Sequence, residues 1–340
     1  MQLPFVKHVA ALTQPTLTQD ELQTYFKGQV AAITGAGSGI GRALALTLAK
    51  LGCEVALADV DKINLAQTAE MLVGFGVKVT STTLDVSDAK AIFKWADAVM
   101  DSHGKVNFVF NNAGVALYST VEGASLEEIK WLMDINFWGV VYGTKAFLPL
   151  IKNTVLLNKQ PIDDATAFNA NPNATESAPI RPPAPYEHGH IINMSSMFGL
   201  TAQPSQSAYN ASKFAVRGFT ESLRQELDLQ QCGVSATCVH PGGIKTNIAN
   251  SARGNDSIST LGMSGGDQTI KTFNKLLRFA PEQAALVILS AVASDARRCL
   301  IGTDAKVIDM VQRLFPSQYQ RVIQQAIKAS RMVKPKKRQT

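Results

Sequence analysis

The feature that most constrains the fold is a regular alternation of short apolar segments with amphipathic segments along the chain. Short apolar runs bounded by turn residues are typical of buried strands, and the amphipathic runs between them are typical of helices. The predicted strands are residues 30–34, 54–59, 77–84, 106–110, 190–194, 234–239 and one near 305–308, and the predicted helices are 40–51, 63–73, 88–103, 125–151, 207–231 and one from 281. This alternation predicts an α/β fold with a doubly wound parallel sheet, because right-handed crossovers place helices on both faces.

A glycine-rich turn follows the first predicted strand, with the sequence Thr34-Gly-Ala-Gly-Ser-Gly-Ile-Gly41. Its glycines allow a tight turn and a close approach of the next helix to a pyrophosphate, which the helix amino terminus attracts. A turn of this kind between a strand and a helix predicts a Rossmann fold that binds a dinucleotide. The predicted contacts are Gly35, Ser38, Gly39, Ile40 and Gly41.

An acidic residue, Asp59, ends the second predicted strand. A carboxylate at this position accepts hydrogen bonds from the adenosine ribose and repels a 2′-phosphate. Ser38 stands where a basic residue would favour NADP. The sequence therefore favours NAD over NADP.

A tyrosine and a lysine four residues apart, Tyr209 and Lys213, lie in a predicted helix and share one of its faces. An ammonium group close to a phenol favours the phenolate and is expected to lower the pKa of Tyr209. The pair thus predicts a proton donor and acceptor, and Ser196 could hold a substrate oxygen. Alone the spacing is weak evidence, because such pairs are usually surface or packing residues.

The net charge of +6 comes from the carboxyl terminus. From residue 324 onward there is no acidic residue, and the basic residues are Lys328, Arg331, Lys334, Lys336, Lys337 and Arg338. Basic residues at one end of the chain argue against a nucleic-acid interface, which needs them across a folded face. A solvated tail is expected, with weak attraction to an anionic membrane surface as the alternative.

The four cysteines show no C-x-x-C spacing, and no histidine stands at metal-ligand spacing from them. Neither a disulfide framework nor a metal site is predicted, and a reducing cytoplasm is the expected compartment. No apolar run is long enough to span a membrane, and no signal peptide is predicted.

Taken together, the motifs resemble the short-chain dehydrogenase/reductase family. They stand in the family's order over about residues 28–310: TGAGSGIG (34–41), LDVSD (84–88), NNAG (111–114), Asn136, Ser196, Y-x-x-x-K (209–213) and HPGGIKT (240–246). Each motif alone is permissive, but the ordered set is specific.

The resemblance implies a role for each matching residue. Tyr209 would be the general acid/base, Ser196 would hold the substrate oxygen, and Asn136 would anchor a water that links Lys213 to solvent. Lys213 would bind the nicotinamide ribose. The remaining cofactor contacts would be Asp85 and Val86 at the adenine, Asn112, Ala113 and Gly114 at the ribose, and Pro241, Gly242, Ile244 and Thr246 at the nicotinamide.

Three segments depart from the family pattern. They divide the chain into an N-terminal extension (1–27), a dehydrogenase domain (28–310) with an insertion at 153–189 and a substrate loop at 247–280, and a C-terminal helical segment with a basic tail (311–340). Topology places the insertion at the amino edge of the sheet, opposite the site, where it is either an oligomer or partner contact or a surface loop. The apolar stripe from Met310 to Ile327 is expected to be core and to wall a channel for a hydrophobic substrate.

The predicted function is hydride transfer between NAD and an alcohol or ketone, with no metal. The alternatives are an NADP-dependent carbonyl or 3-oxoacyl reductase and, from another class, a dinucleotide-sensing interaction protein. The predicted helices 125–151 and 207–231 carry apolar residues, and family members commonly pair these two helices in dimers and tetramers. A homodimer or homotetramer is therefore expected.

Overall fold

The structure, a computed structural model, describes residues 17–157, 188–249, 251–263 and 277–329. Its strands are β1 Val30–Thr34, β2 Glu54–Asp59, β3 Val79–Thr83, β4 Phe108–Asn111, β5 Leu117–Tyr118, β6 Gly189–Met194, β7 Val234–Pro241, β8 Arg253–Gly254 and β9 Arg298–Ile301. Its α-helices are α1 Gln19–Phe26, α2 Gly39–Lys50, α3 Lys62–Met71, α4 Ala89–His103, α5 Leu126–Met133, α6 Gly139–Leu157, α7 Ser207–Gln230, α8 Pro281–Ala293, α9 Thr303–Leu314 and α10 Tyr319–Ala329.

Seven of these strands form one parallel sheet in the order β3-β2-β1-β4-β6-β7-β9. One hydrophobic core, with residues of α1, α2 and α8, covers one face, and a second core, with residues of α4, α6 and α7, covers the other. The predicted doubly wound α/β fold is confirmed. Since all seven strands run in one direction, their carboxyl ends share one edge of the sheet, where such folds bind ligands.

The predicted helix over 125–151 is interrupted. The α-helical pattern of α5 stops at Met133, a π-helical turn spans Asp134–Trp138, and α6 continues to Leu157. A π-helical turn holds one more residue than an α-helical turn and often occurs at functional sites. Here it carries Asn136, which is fully buried.

The prediction of a last strand near residues 305–308 is wrong. The strand is β9, Arg298–Ile301, and Gly302 with a φ of +92° turns the chain into α9. Within α9, Ala305 and Asp309 are buried four residues apart, which is the helical period. The apolar residues near 305 therefore have the spacing of a helix and not that of a strand.

The amino edge of the sheet carries the N-terminal helix and the ends of the insertion. Residues 158–187 of the insertion lie outside the described part of the chain, but α6 and β6 lead to it at this edge. The ring of Tyr25 in α1 stacks on His188 at 5.2 Å between ring centroids. A capping box between Thr18 and Glu21 begins α1. The N-terminal helix thus lies next to the point where the insertion returns, as the topology predicts.

The C-terminal apolar stripe is mostly not core. Tyr319 is buried, but Met310 is 41%, Leu314 52%, Phe315 52% and Val322 49% exposed. The stripe therefore does not form the predicted channel wall as a whole. Among the described residues, no helix is both long and apolar enough to cross a membrane.

Candidate active site

The glycines Gly35 and Gly41 of the turn between β1 and α2 stand where there is no room for a Cβ atom. Gly35 has a φ of +66°, and a Cβ atom on Gly41 would lie 2.1 Å from the Gly35 carbonyl oxygen. Ser38, the N-cap of α2, makes no side-chain capping hydrogen bond. The first N–H groups of a helix lack acceptors within the helix, and here they start at Gly39 and Ile40. The turn therefore has the form of a phosphate cradle.

The carboxylate of Asp59, at the end of β2, lies against this turn. Its Oδ2 accepts a hydrogen bond from the Gly37 N–H at 2.8 Å, and its Oδ1 accepts one from the Asp61 N–H at 2.9 Å. Asp59 thus fixes the turn and also brings a negative charge to the place where the sequence predicts the adenosine ribose.

Asp85 and Val86 follow β3 at the same edge. The N–H of Leu84 donates to the Asp59 carbonyl oxygen at 3.0 Å, which brings this loop beside β2. The Asp85 side chain accepts hydrogen bonds from the N–H and the hydroxyl of Ser87, at 2.8 and 2.7 Å. The structure therefore places both predicted adenine contacts next to Asp59.

The segment after β4 is tied to the glycine-rich turn through Thr34. The Thr34 hydroxyl oxygen accepts hydrogen bonds from the N–H groups of Asn112 and Ala113, at 3.0 and 3.1 Å. The Asn112 amide donates to the carbonyl oxygens of Thr34 and Gly35, at 2.9 and 3.2 Å. Two predicted motifs that are far apart in sequence thus form one surface.

Asn136 and Lys213 meet at Gly114. A Cβ atom there would lie 3.2 Å from Asn136 Oδ1 and 3.4 Å from Lys213 Nζ. The Asn136 side chain accepts from the N–H of Val115 at 2.8 Å and donates to its carbonyl oxygen at 2.9 Å and to the Ser212 hydroxyl at 3.2 Å. The π-helical turn therefore orients Asn136 toward the lysine.

Tyr209 and Lys213 lie one turn apart on α7, and both are buried. Lys213 Nζ is 5.6 Å from the Tyr209 ring centroid and donates to the Met194 carbonyl oxygen at 3.0 Å. The Ser196 hydroxyl is hydrogen-bonded with Tyr209 and accepts from the Phe198 N–H at 3.2 Å. The predicted residues Ser196, Tyr209 and Lys213 therefore form one cluster.

Burial sets the protonation of this cluster. It raises the pKa of Tyr209 to about 12, and the hydrogen bond with Ser196 opposes part of that rise. It also lowers the pKa of Lys213 to about 8, because the ammonium is withdrawn from water. The expected lowering of the Tyr209 pKa by Lys213 does not occur in this structure, because desolvation of the phenolate is the largest effect and the hydrogen bond with Ser196 is the one that opposes it.

The loop after β7 closes the site from the other side. It holds the predicted nicotinamide-side residues Pro241, Gly242, Ile244 and Thr246. A Cβ atom on Gly39 would lie 3.0 Å from Thr246 Cγ2, so this loop contacts the glycine-rich turn. Gly243 donates its N–H to Asp304 Oδ2 at 2.6 Å, which anchors the loop on α9.

The described part of the predicted substrate loop folds over the segment after β4. Strand β8 pairs with β5, and the Arg253 guanidinium lies 3.7 Å from the Trp131 ring centroid. An apolar cluster surrounds Tyr209 beneath it, with Leu117, Leu132 and Phe198 buried. The surroundings of the tyrosine are thus largely apolar, and its polar neighbours include Ser196, Lys213 and the phenol of Tyr118.

The glycine-rich turn fits a dinucleotide, because only glycines allow it to pack so tightly: an added Cβ atom on Gly35 would lie 2.9 Å from Ala113 Cα, and one on Gly41 would lie 2.1 Å from the Gly35 carbonyl oxygen. A turn this tight leaves the first N–H groups of α2 in a position to bind a pyrophosphate. Asp59 and Thr246 then stand at the two ends of this cradle. Among the described residues, no group of three or more His, Cys, Asp or Glu side chains could hold a metal ion.

A family model described as short chain dehydrogenase matches residues 29–160 and 156–257. The chain belongs to the short-chain dehydrogenase family.

Relatives and solved structures agree with this. The SadH protein of Mycobacterium tuberculosis strain H37Rv is 42% identical over 300 residues, which cover 88% of this chain and 95% of that protein. Human estradiol 17-beta-dehydrogenase 11 is 28% identical over 302 residues, 88% of this chain and 83% of that protein. A short-chain dehydrogenase/reductase from Burkholderia phymatum, solved in complex with NAD, aligns with a TM-score of 0.72 and 28% identity over 87% of this chain and 96% of that chain. This short-chain dehydrogenase is thus an oxidoreductase whose fold takes a nicotinamide dinucleotide.

Sequence reasoning missed several residues that build the site of this short-chain dehydrogenase. Thr34 and Gly37 lie in the glycine-rich turn but were not singled out, although every second residue from 35 to 41 is a glycine. The Met194 carbonyl that holds Lys213 has no sequence signal, because a backbone acceptor depends on strand position and not on side-chain type.

His240 is a second missed contributor. Its Nδ1 lies 3.0 Å from the carbonyl oxygen of Ser196, and burial lowers its pKa to about 3, so the ring is neutral. It therefore fixes the backbone at Ser196 and does not carry a charge.

Arg42, also missed, binds the turn from the side of α2. Its Nη2 donates to the Gly37 carbonyl oxygen, and its Nε donates to the Thr68 hydroxyl at 2.9 Å. A basic residue therefore does stand at the turn, although Ser38 occupies the position at which the sequence predicted that a basic residue would favour NADP. Its charge bears on the choice of dinucleotide.

The buried Lys213 gives stability a pH dependence. Between its folded pKa of about 8 and its ordinary value near 10.5, the unfolded chain binds more protons than the folded chain. The free energy of unfolding therefore rises with pH in this window, by at most about 1.4 kcal/mol per pH unit. We expect the free energy of unfolding of wild type to rise from about pH 8 to about pH 10 relative to that of Lys213→Met, because methionine at position 213 does not titrate.

Urea denaturation of both proteins across this range measures the difference. The matched control is Lys130→Met, since the Lys130 side chain is 75% exposed. A difference between wild type and Lys213→Met that stays constant with pH would contradict the prediction.

Proposed function

We propose that the chain transfers a hydride between NAD(H) and the carbinol or carbonyl carbon of a hydrophobic alcohol or ketone, with Tyr209 as the general acid/base. The observation that carries this proposal is the buried cluster of Ser196, Tyr209 and Lys213, which stands at the carboxyl edge of the sheet beside Gly114. The cluster continues through Asn112 to the glycine-rich turn, so a dinucleotide held by that turn would extend toward the tyrosine.

The dinucleotide supplies hydride transfer when bound. The hydroxyls of Ser196 and Tyr209 would hold the substrate oxygen. With a pKa raised to about 12, Tyr209 is protonated at neutral pH and is ready to donate a proton to a ketone oxygen. Once Tyr209 has donated this proton, the ammonium of Lys213 would stabilise the phenolate that forms. In the oxidative direction it is this phenolate that would accept the alcohol proton.

The substrate class is inferred from the surroundings of Tyr209. Leu117, Phe198 and the half-buried Met197 belong to the apolar cluster around it. An apolar site with few polar groups favours a hydrophobic substrate, because charged groups would lose their hydration there. NAD is favoured by Asp59, whose carboxylate would repel a 2′-phosphate.

The test is turnover of secondary alcohols and ketones of increasing chain length, followed by the absorbance of reduced nicotinamide. Wild type should turn over the apolar members with NAD(H), and Tyr209→Phe should bind the dinucleotide without turnover. Binding without turnover by wild type would instead favour a dinucleotide-sensing protein.

We also propose that the chain pairs with a second copy through aromatic residues of the π-helical turn, α6 and α7. Trp138 is 43% and Phe214 39% exposed, and Phe137 contacts Trp138 and Phe219 edge-on. Aromatic rings left half-exposed are typical of interfaces.

Phe214→Glu is therefore expected to lower the mass of the particle by a factor of about two, since a buried unpaired charge weakens an interface strongly. Light scattering after gel filtration measures the mass. Phe93→Glu on α4 is the matched control, because Phe93 is 43% exposed. Equal masses for wild type and Phe214→Glu would count against this interface.

A further inference from the structure

The outward face of α9 is apolar. Ala305 and Asp309 are buried and define its inward face. On the opposite side, Val307 is 48%, Met310 41% and Leu314 52% exposed, at the spacing of one helical face. A helix on the surface of a globular protein normally has its polar side outward. Helix α9 therefore exposes an apolar face, which a surface helix normally buries.

The exposed apolar residues continue beyond α9. Phe315 is 52% exposed at the carboxyl end of α9, and Val322 on α10 is 49% exposed. The Tyr319 N–H donates to the Phe315 carbonyl oxygen at 3.0 Å, so the two helices follow each other through a tight turn. We call Val307, Met310, Leu314, Phe315 and Val322 the C-terminal apolar surface.

This surface is held rigidly on the domain. Arg298 and Arg313 donate to the Asp309 carboxylate, at 2.9 and 2.8 Å, and lock α9 on β9. The Tyr319 hydroxyl accepts from the N–H of Ala202 at 3.4 Å and anchors α10. The exposure of the surface is therefore a property of packed helices and not of a loose end.

Apart from Asp304 and Asp309, which are bound to Gly243 and to two arginines, the charged residues of α9 and α10 are all basic. After Asp309 the chain contains no acidic residue, and its basic residues are Arg313, Arg321, Lys328, Arg331, Lys334, Lys336, Lys337 and Arg338. Arg321 and Lys328 are exposed on α10. An apolar helical face together with an excess of cations is typical of helices that lie in the interface of an anionic bilayer.

We propose that the C-terminal apolar surface docks on the face of an anionic lipid bilayer, with its apolar side chains among the acyl chains and its cations at the headgroups. A second copy of the chain fits less well, because a two-fold contact would set these basic residues against each other. The docking surface shares the carboxyl edge of the sheet with the candidate site, since the Asp304 carboxylate of α9 binds Gly243. The docking does not depend on the proposed function.

Flotation of the full chain with lipid vesicles tests the proposal. Wild type should float with vesicles that contain phosphatidylglycerol, float much less with pure phosphatidylcholine, and detach as salt is raised. The double variant Met310→Gln, Leu314→Gln should weaken binding about tenfold. Arg321→Gln with Lys328→Gln should weaken it roughly 25-fold, at about fivefold for each charge.

The matched control is Leu229→Gln, which removes an apolar side chain that is 85% exposed on α7. It should float like wild type, and all variants should keep the wild-type thermal midpoint because the changed side chains are exposed. Absence of wild-type flotation, equal binding to both lipids, or full binding by Met310→Gln, Leu314→Gln would each overturn the proposal. A halved particle mass in that double variant, with no vesicle binding by wild type, would instead assign the surface to a second copy.

Discussion

Replacing Tyr209 with phenylalanine is expected to lower turnover about 10³-fold while dinucleotide affinity is retained. General acid/base catalysis by a positioned side chain contributes on the order of 10²–10⁴-fold. Phenylalanine keeps the ring that packs edge-on against Phe198, with 6.0 Å between centroids. The variant should therefore fold and bind NADH as wild type does. Steady-state turnover and NADH titration on the same preparations measure the two effects.

Tyr25→Phe is the matched control for this experiment. Tyr25 is half-buried and also has a raised pKa, but it lies at the amino edge of the sheet against His188. Its loss should leave turnover unchanged. If Tyr209→Phe kept most of the wild-type turnover, another group would be the proton donor and the proposed mechanism would be wrong.

Replacing Asp59 with alanine is expected to weaken NADH binding by roughly 10- to 150-fold and NADPH binding much less. Hydrogen bonds to a charged group contribute about 1.5–3 kcal/mol, and each 1.4 kcal/mol corresponds to about tenfold in affinity. The carboxylate would make such bonds to the ribose of NADH, but it would repel the 2′-phosphate of NADPH. Titration of both cofactors into wild type and variant gives the ratio directly.

Two controls separate the charge of Asp59 from its support of the glycine-rich turn. Asp59→Asn keeps an acceptor for the Gly37 N–H, which now donates to Asp59 Oδ2 at 2.8 Å, but removes the negative charge. It should still relax the discrimination against NADPH. Glu70→Ala removes an exposed carboxylate on α3 and should leave both affinities unchanged.

The position of Arg42 makes the opposite result informative. If wild type prefers NADPH, the guanidinium beside Gly37 is the group that outweighs Asp59, and the NADP-dependent reductase becomes the better assignment. In that case Arg42→Ala should weaken NADPH binding more than NADH binding.

The sequence alone determined the order of strands and helices and the chemistry at most of the strand ends. Residues such as Gly41 and Asp59 can be recognised from the sequence because their positions depend on nearby residues. The tight turn after β1 needs glycines, and the carboxylate stands at the end of the apolar run that forms β2. The spacing of Tyr209 and Lys213 is likewise a property of one helix. Burial patterns within single segments carry this information, since backbone periodicity decides which side chains share a face.

The tertiary structure decided three features that sequence periodicity does not encode. The apolar residues after Gly302 were predicted as a strand, but they form α9, because a short apolar run does not reveal whether a sheet or a helix buries it. The pKa of Tyr209 rises although Lys213 lies near, since the surrounding chain withdraws the phenol from water. The C-terminal stripe was predicted to be core, yet its outward residues are 41–52% exposed. Periodicity identifies an apolar face, but only the packed fold shows whether the chain itself covers that face.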